Sequence, residues 1–135
     1  MLNLATLKKY DVSGMYKVYD QWPRIARESY SSSQDVVDFD KIDHIVFAGM
    51  GGSGTIGDIL SSILSKTNIH VAVVKGYHLP NTVDSKTLVI TTSVSGNTAE
   101  TLSVLDAARK PICKKIAFSS GSKIQDSSNK SPIEP

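Results

Sequence analysis

Apolar positions follow two rhythms along this chain, and their alternation predicts its elements. Ile45-Val46-Phe47-Ala48 is an uninterrupted apolar run, long enough for a strand buried on both faces and too short for a helix. It stops in the glycines Gly49, Gly51, Gly52 and Gly54. Beyond them Ile56, Ile59, Leu60, Ile63 and Leu64 recur at spacings of three, four, seven and eight, the stripe of an amphipathic helix. The pattern predicts a strand over about 43–48 and a helix over about 53–66. A second strand follows over 70–74 and a third over 87–91. Leu102, Leu105 and Ala108 then mark a helix, and a fourth strand runs over 115–120. Asn97 followed three residues later by Glu100 is a helix-start signature, placing a cap at Asn97.

The first 13 residues are unpatterned. Met15, Tyr16, Val18, Tyr19, Trp22, Ile25 and Ala26 give a helical stripe over 14–30. Proline lacks an N–H and its ring clashes with the preceding turn, so Pro23 is expected at the first turn of a second helical piece. The aromatics of this stripe are read as core or subunit contact rather than a ligand cage, and Ser31-Ser32-Ser33 as a loop.

Strands alternating with helices imply right-handed βαβ units, a parallel sheet and helices on both faces: an α/β chain folded as a three-layer αβα sandwich with a doubly wound sheet. In the strand order 2-1-3-4 the chain reverses direction between strands one and three. The segments 49–54 and 92–98 would then flank a single crevice, where ligands bind in such folds.

Composition narrows the class. At 135 residues, 40% hydrophobic and 21% charged, the chain is ordinary globular material, and one domain over 1–125 is expected. Its N-terminal helical region covers 14–30, and 122–135, rich in Ser, Lys and Pro, reads as a disordered tail. A net charge of +2, with no basic run interleaved with aromatics, argues against nucleic acid. The single cysteine, Cys113, excludes an internal disulfide and a Cys-rich metal site, and reads as an inert thiol. Without an apolar leader or spanning segment, the cytoplasm is the expected location and no membrane is expected as partner. His44 and His70 are expected at the surface, opposite the crevice, and His78 at the crevice end. No histidine pair has metal-ligand spacing, so no metal is expected.

The chemistry lies in the two loops. A strand, a glycine loop and a helix N-terminus make an anion site, because unpaired N–H groups and the positive end of the helix dipole converge there. Gly52-Ser53-Gly54-Thr55-Ile56-Gly57 also matches the dinucleotide pattern GxGxxG, but the acidic residue expected at the end of the second strand is replaced by Lys75. A nucleotide P-loop is rejected, since Asp58 follows Gly57 where lysine is required. The second loop offers the hydroxyls of Ser93, Ser95 and Thr98 at another helix start, each able to donate to a phosphate oxygen. A flavodoxin-like FMN site is the rival reading. There, however, the hydroxyl loop follows the first strand, and no Trp or Tyr follows closely here to stack on a flavin.

Gly-Met-Gly-Gly-Ser-Gly at 49–54 with Gly57-Asp58, and Thr-Ser-Val-Ser-Gly-Asn-Thr-Ala-Glu-Thr at 92–101, together resemble the SIS (sugar isomerase) domain. They are most similar to the N-terminal SIS domain of bifunctional phosphoglucose/phosphomannose isomerases. Lys75-Gly76-Tyr77-His78-Leu79-Pro80 and Ser119-Ser120-Gly121 extend the likeness over about 14–125. The resemblance implies that Ser93, Ser95 and Thr98 hold a sugar phosphate and that Gly51, Gly52 and Ser53 line the sugar. It implies glucose 6-phosphate, mannose 6-phosphate and fructose 6-phosphate as ligands, aldose–ketose isomerisation through an enediolate, and no cofactor. In the family a fifth strand, an active-site arginine and a second SIS domain with a glutamate base, a histidine and a lysine follow. Here a short polar tail stands instead. The chain is therefore expected to be an incomplete half with its final strand missing, a homodimer or paired with a second SIS domain. No catalytic residue is assigned. Asp58 and Glu100, the carboxylates nearest the crevice, sit at helix starts, where capping is the expected role. A sugar-phosphate-binding module without turnover is the alternative.

Overall fold

The structure, a computed structural model, describes residues 3–32, 39–120 and 123–124, and it falls into two units, residues 1–38 and 39–135. In the first unit, α1 (Leu4–Tyr10) lies where no stripe was legible. Its start is fixed by a cap, the Asn3 side chain accepting from Thr6 N–H at 2.9 Å. Helix α2 (Met15–Ser31) begins in the same way. The Asp11 carboxylate accepts from the N–H groups of Met15 at 2.9 Å and Tyr16 at 2.8 Å, and these bonds, that from Tyr16 foremost, hold its carboxyl below the usual range.

The break expected at Pro23 does not occur: α2 is continuous, with Pro23 inside it. A mid-helix proline costs about 3 kcal/mol by removing one hydrogen bond and crowding the preceding turn. About two turns of helix stand on either side, each able to keep its own bonds. Tyr19 and Trp22 meet edge to face at 4.6 Å just before the proline, and Arg24 pairs with Glu28 at 2.8 Å just after it.

The second unit is built on a parallel sheet of β1 (His44–Gly49), β2 (His70–Val74), β3 (Thr87–Ser93) and β4 (Lys114–Ser119), in the order β2-β1-β3-β4. The fold is α/β with the doubly wound order that the sequence implies. β1, the apolar run, is buried along its whole length between β2 and β3. Helices α3 (Gly52–Leu64) and α4 (Ala99–Ala107) cover opposite faces, because successive strand residues point to opposite sides. Gly57 of α3 packs on Phe47 and Val73, whereas Val104 of α4 and Ala108 join Val46, Ala48 and Val89 in the core.

The isoleucine stripe of α3 is not the face that meets the sheet. Ile56, Ile59 and Ile63 are more than half exposed, and the buried residues of the helix are Gly54 and Gly57. A Cβ on Gly57 would lie 2.7 Å from Cδ1 of Phe47. The helix comes so close to the strands that glycine, not isoleucine, occupies the contact line.

At the amino ends of the strands His44 is also not where the sequence puts it. It is buried, stacked on the His70 ring at 5.2 Å, with Nδ1 3.2 Å from the Thr87 hydroxyl. That hydroxyl gives its single proton to Asp84 at 2.9 Å, so His44 Nδ1 is the donor to it. Cys113 is half-buried beside the Ala108 carbonyl, and burial pushes its thiol pKa up, in line with an inert thiol. No described helix is long and apolar enough to cross a membrane. Of the tail, residues 123–124 are described, with Ile124 buried; 122 and 125–135 lie outside the described residues, as does Gly121.

Candidate functional site

β1 and β3 run side by side in register, Gly49 opposite Thr92, so their carboxyl ends are one strand spacing apart, about 4.8 Å. From there α3 leaves to one face of the sheet and α4 to the other. The segments after these two strands therefore share the point at which the winding reverses.

In the first loop Gly51 has φ 54° and ψ −128°, a conformation that a side chain disfavours. Through this turn the N–H groups of Ser53 and Gly54 reach back to the Met50 carbonyl, at 3.1 and 3.4 Å, and Thr55 N–H to that of Gly51 at 3.2 Å. Helix α3 thus starts at Gly52 with no side-chain cap, but the Met50 carbonyl takes the N–H groups of Ser53 and Gly54, so of the first turn the Gly52 N–H and the positive end of the helix dipole are what it offers an anion. A Cβ on Gly51 or Gly52 would meet no atom within 4 Å, whereas one on Gly54 would lie 2.6 Å from the Gly49 carbonyl oxygen. Gly54 is required by the turn, and Gly51 and Gly52 face open space. Ser53 beside them is half-buried.

The second loop gives its three hydroxyls unequal surroundings. Ser93 is buried, its Oγ accepting from Gly96 N–H at 3.1 Å and lying 2.8 Å from the Thr98 hydroxyl. It braces the loop from inside. Ser95 is exposed at the tip, its Oγ accepting weakly from Asn97 N–H at 3.3 Å, and Thr98 is half-buried at the base. Ser120, just past β4, ties the loop to the sheet by donating from N–H and Oγ to the Val94 carbonyl, at 3.3 and 2.5 Å.

Asn97 does not cap α4. Its side-chain amide donates to the Ser95 carbonyl at 3.0 Å, and the helix starts at Ala99 with Thr98 as the capping position. The Thr98 side chain makes no capping bond to the helix, so this N-terminus is open, with Glu100 in its first turn. The six residues singled out in the sequence, Gly51, Gly52, Ser53, Ser93, Ser95 and Thr98, thus come from two loops that begin on neighbouring strands. What can sit there is an anion with a polar body, held by N–H groups and hydroxyls.

Asp58 is less available than its position suggests. Lys75, the residue after β2, reaches across to it, Nζ to Oδ2 at 2.6 Å. Opposite charges, one just past a strand and one a turn beyond the glycine loop, were a visible signal for this pair. The loop after β2 continues to Tyr77, whose carbonyl accepts from Ser103 of α4 at 3.0 Å, and to an exposed His78.

Comparison with known proteins places the fold. The SIS domain sequence model matches residues 38–129. A bifunctional phosphoglucose/phosphomannose isomerase of Caldicellulosiruptor bescii is 38% identical over 120 residues, 86% of this chain and 35% of that protein. One of the same name from Thermoplasma acidophilum is 39% identical over 105 residues, 73% of this chain and 33% of that protein. The chain thus spans about a third of the length of these curated relatives. Among solved structures, the C-terminal domain of glucosamine-fructose-6-phosphate aminotransferase from Francisella tularensis superposes with a TM-score of 0.62 at 20% identity, over 82% of this chain and 37% of that one, a likeness of fold.

Proposed function

We propose, from the premise that this chain belongs to the SIS domain family, that its crevice binds the phosphate and sugar of an aldose or ketose 6-phosphate. The observation that carries this reading is the meeting of two uncapped helix N-termini on neighbouring parallel strands. One brings open glycine backbone, Gly51 and Gly52 with Ser53 beside them, and the other brings hydroxyls, Ser95 and Thr98 braced by Ser93. The phosphate sits at the hydroxyl loop and the start of α4, where N–H and O–H donors converge. The sugar lies toward the glycine loop, where absent side chains leave room. Glucose 6-phosphate, mannose 6-phosphate and fructose 6-phosphate are the proposed ligands, in keeping with the names of the two isomerase relatives. In an isomerase these residues would bind and orient the substrate while a base moves a proton between adjacent carbons.

The test is calorimetric titration of the chain with fructose 6-phosphate. A hydrogen bond to a charged group is worth roughly 1.5–3 kcal/mol, so Ser95→Ala and Thr98→Ala are each expected to weaken binding by about tenfold or more. Unchanged affinity in both variants removes the phosphate site from this loop.

Assembly belongs to the same proposal. β4 is an edge of the four-stranded sheet among the described residues, and an uncovered edge invites pairing. A homodimer, or pairing with a second SIS domain, is the proposed state. For the chain alone, sedimentation equilibrium is expected to give a mass that rises with concentration, and a sharp monomer at high concentration counts against self-association.

A further inference from the structure

The Lys75–Asp58 pair lies along the start of α3, beside the glycine loop. The lysine stem crosses Gly54, where a Cβ would come within 3.0 Å of Cε and 3.3 Å of Cγ, and the ammonium ends on Asp58. Gly54 and Asp58 are four residues apart, one above the other on a single face of the helix. Asp58 is the one charged residue in α3. Both side chains are about half exposed, at 46% and 51%, and a pair so placed contributes little to stability.

Its effect is felt by the phosphate of a ligand in the crevice. The helix offers about half a positive charge at its N-terminus. Asp58 lies six residues past Gly52, about 9 Å along the axis at 1.5 Å per residue. The phosphate, one strand over at the start of α4, lies farther off than Gly52; the Debye length of about 30 Å at 0.01 M salt still reaches it, so at low salt an uncompensated carboxylate would oppose it, and at 0.1 M, where that length is about 10 Å, much less. We infer that Lys75 is a positioning residue for the phosphosugar site: it acts through Asp58, cancelling that charge, and does not itself touch the ligand. This rests on the reading of the crevice given under Proposed function.

A double-substitution cycle tests it, read as affinity of the 1–135 chain for fructose 6-phosphate at about 0.02 and 0.2 M salt. Lys75→Met keeps a long stem over Gly54 and exposes the carboxylate. It is expected to weaken binding about fivefold at low salt and less at high salt. Asp58→Asn is expected to bind as tightly as the unsubstituted chain or more so. The double variant is expected to recover that affinity within about twofold, since neither charge remains. If the double variant is as weak as Lys75→Met, the lysine is itself a ligand and the inference falls. It falls equally if Asp58→Asn weakens binding as much as Lys75→Met and both lower the thermal midpoint, the mark of a structural brace. Absence of any affinity in the unsubstituted chain overturns the phosphosugar reading and this inference with it.

Discussion

Gly54→Ala is expected to lower the thermal midpoint by on the order of 10 °C and to abolish sugar-phosphate binding, while Gly52→Ala, two residues earlier, leaves the midpoint unchanged. A Cβ on Gly54 would sit 2.6 Å from the Gly49 carbonyl oxygen, a backbone atom at the end of the central strand, and 3.0 Å from the Lys75 stem. The lysine can yield, but the carbonyl can move only if β1 and α3 separate. Overpacking of this kind costs about 1–3 kcal/mol, and each kcal/mol shifts the midpoint of a domain this size by about 4–8 °C. The displaced turn would carry Gly51, Gly52 and Ser53 out of place, and with them the N–H bonds of Ser53 and Gly54 to the Met50 carbonyl. At Gly52 no atom lies within 4 Å of the added methyl, and alanine favours the helix more than glycine does. That methyl instead enters the space assigned to the sugar, so affinity is expected to drop by about tenfold at unchanged stability. Thermal unfolding followed by circular dichroism, with calorimetric titration of both variants, separates the two outcomes. A Gly54→Ala chain that unfolds at the normal temperature would show that the strand-to-helix turn tolerates a side chain.

Purified 1–135 is expected to bind fructose 6-phosphate without interconverting glucose 6-phosphate, mannose 6-phosphate and fructose 6-phosphate at an enzymatic rate. Proton transfer between adjacent carbons needs a base within hydrogen-bond reach of the sugar, and ring opening needs an acid or base at the ring oxygen. Among the described residues the carboxylates nearest the crevice are Asp58, paired with Lys75, and Glu100, in the first turn of α4. The family resemblance assigns the base and its histidine partner to a second SIS domain, and the matched segment is about a third of each curated relative. General acid–base groups contribute roughly 10² to 10⁴ each, so two missing groups leave little above background. A coupled assay showing turnover of about 1 per second or faster, as whole enzymes give, would mean that this chain holds a base not identified among the described residues.

The sheet and the two loops were legible because their signals are local and strong. The apolar run 45–48, the glycines after it and the hydroxyls of 93–98 each state a strand end and a helix start, and the winding rule brings both to one crevice. Part of what was not legible depends on distance in space, and part on which of two local bonds a side chain takes. The isoleucine stripe of α3 has helical spacing, but spacing does not say which face meets the sheet, and the close approach at Gly57 turned Ile56, Ile59 and Ile63 outward. His44 is buried by a stack with His70 and a bond to Thr87, partners 26 and 43 residues away. Asn97 carried the signature of a cap, yet the Ser95 carbonyl captured its amide. Helix α1 has no stripe to read, its start being set by Asn3.

A phosphosugar site at the meeting of β1 and β3 requires that one ligand touch both loops at once. The measurement is an amide chemical-shift map of isotope-labelled 1–135 as fructose 6-phosphate is added. The expected result is a saturable set of shifts at Gly51, Gly52, Ser53, Ser95, Thr98 and the first residues of α4, all with one dissociation constant, and none at His44, His70 and Thr87 at the far end of the sheet. Shifts scattered over the surface without saturation, or confined to one loop, would contradict a phosphosugar site at the meeting of β1 and β3.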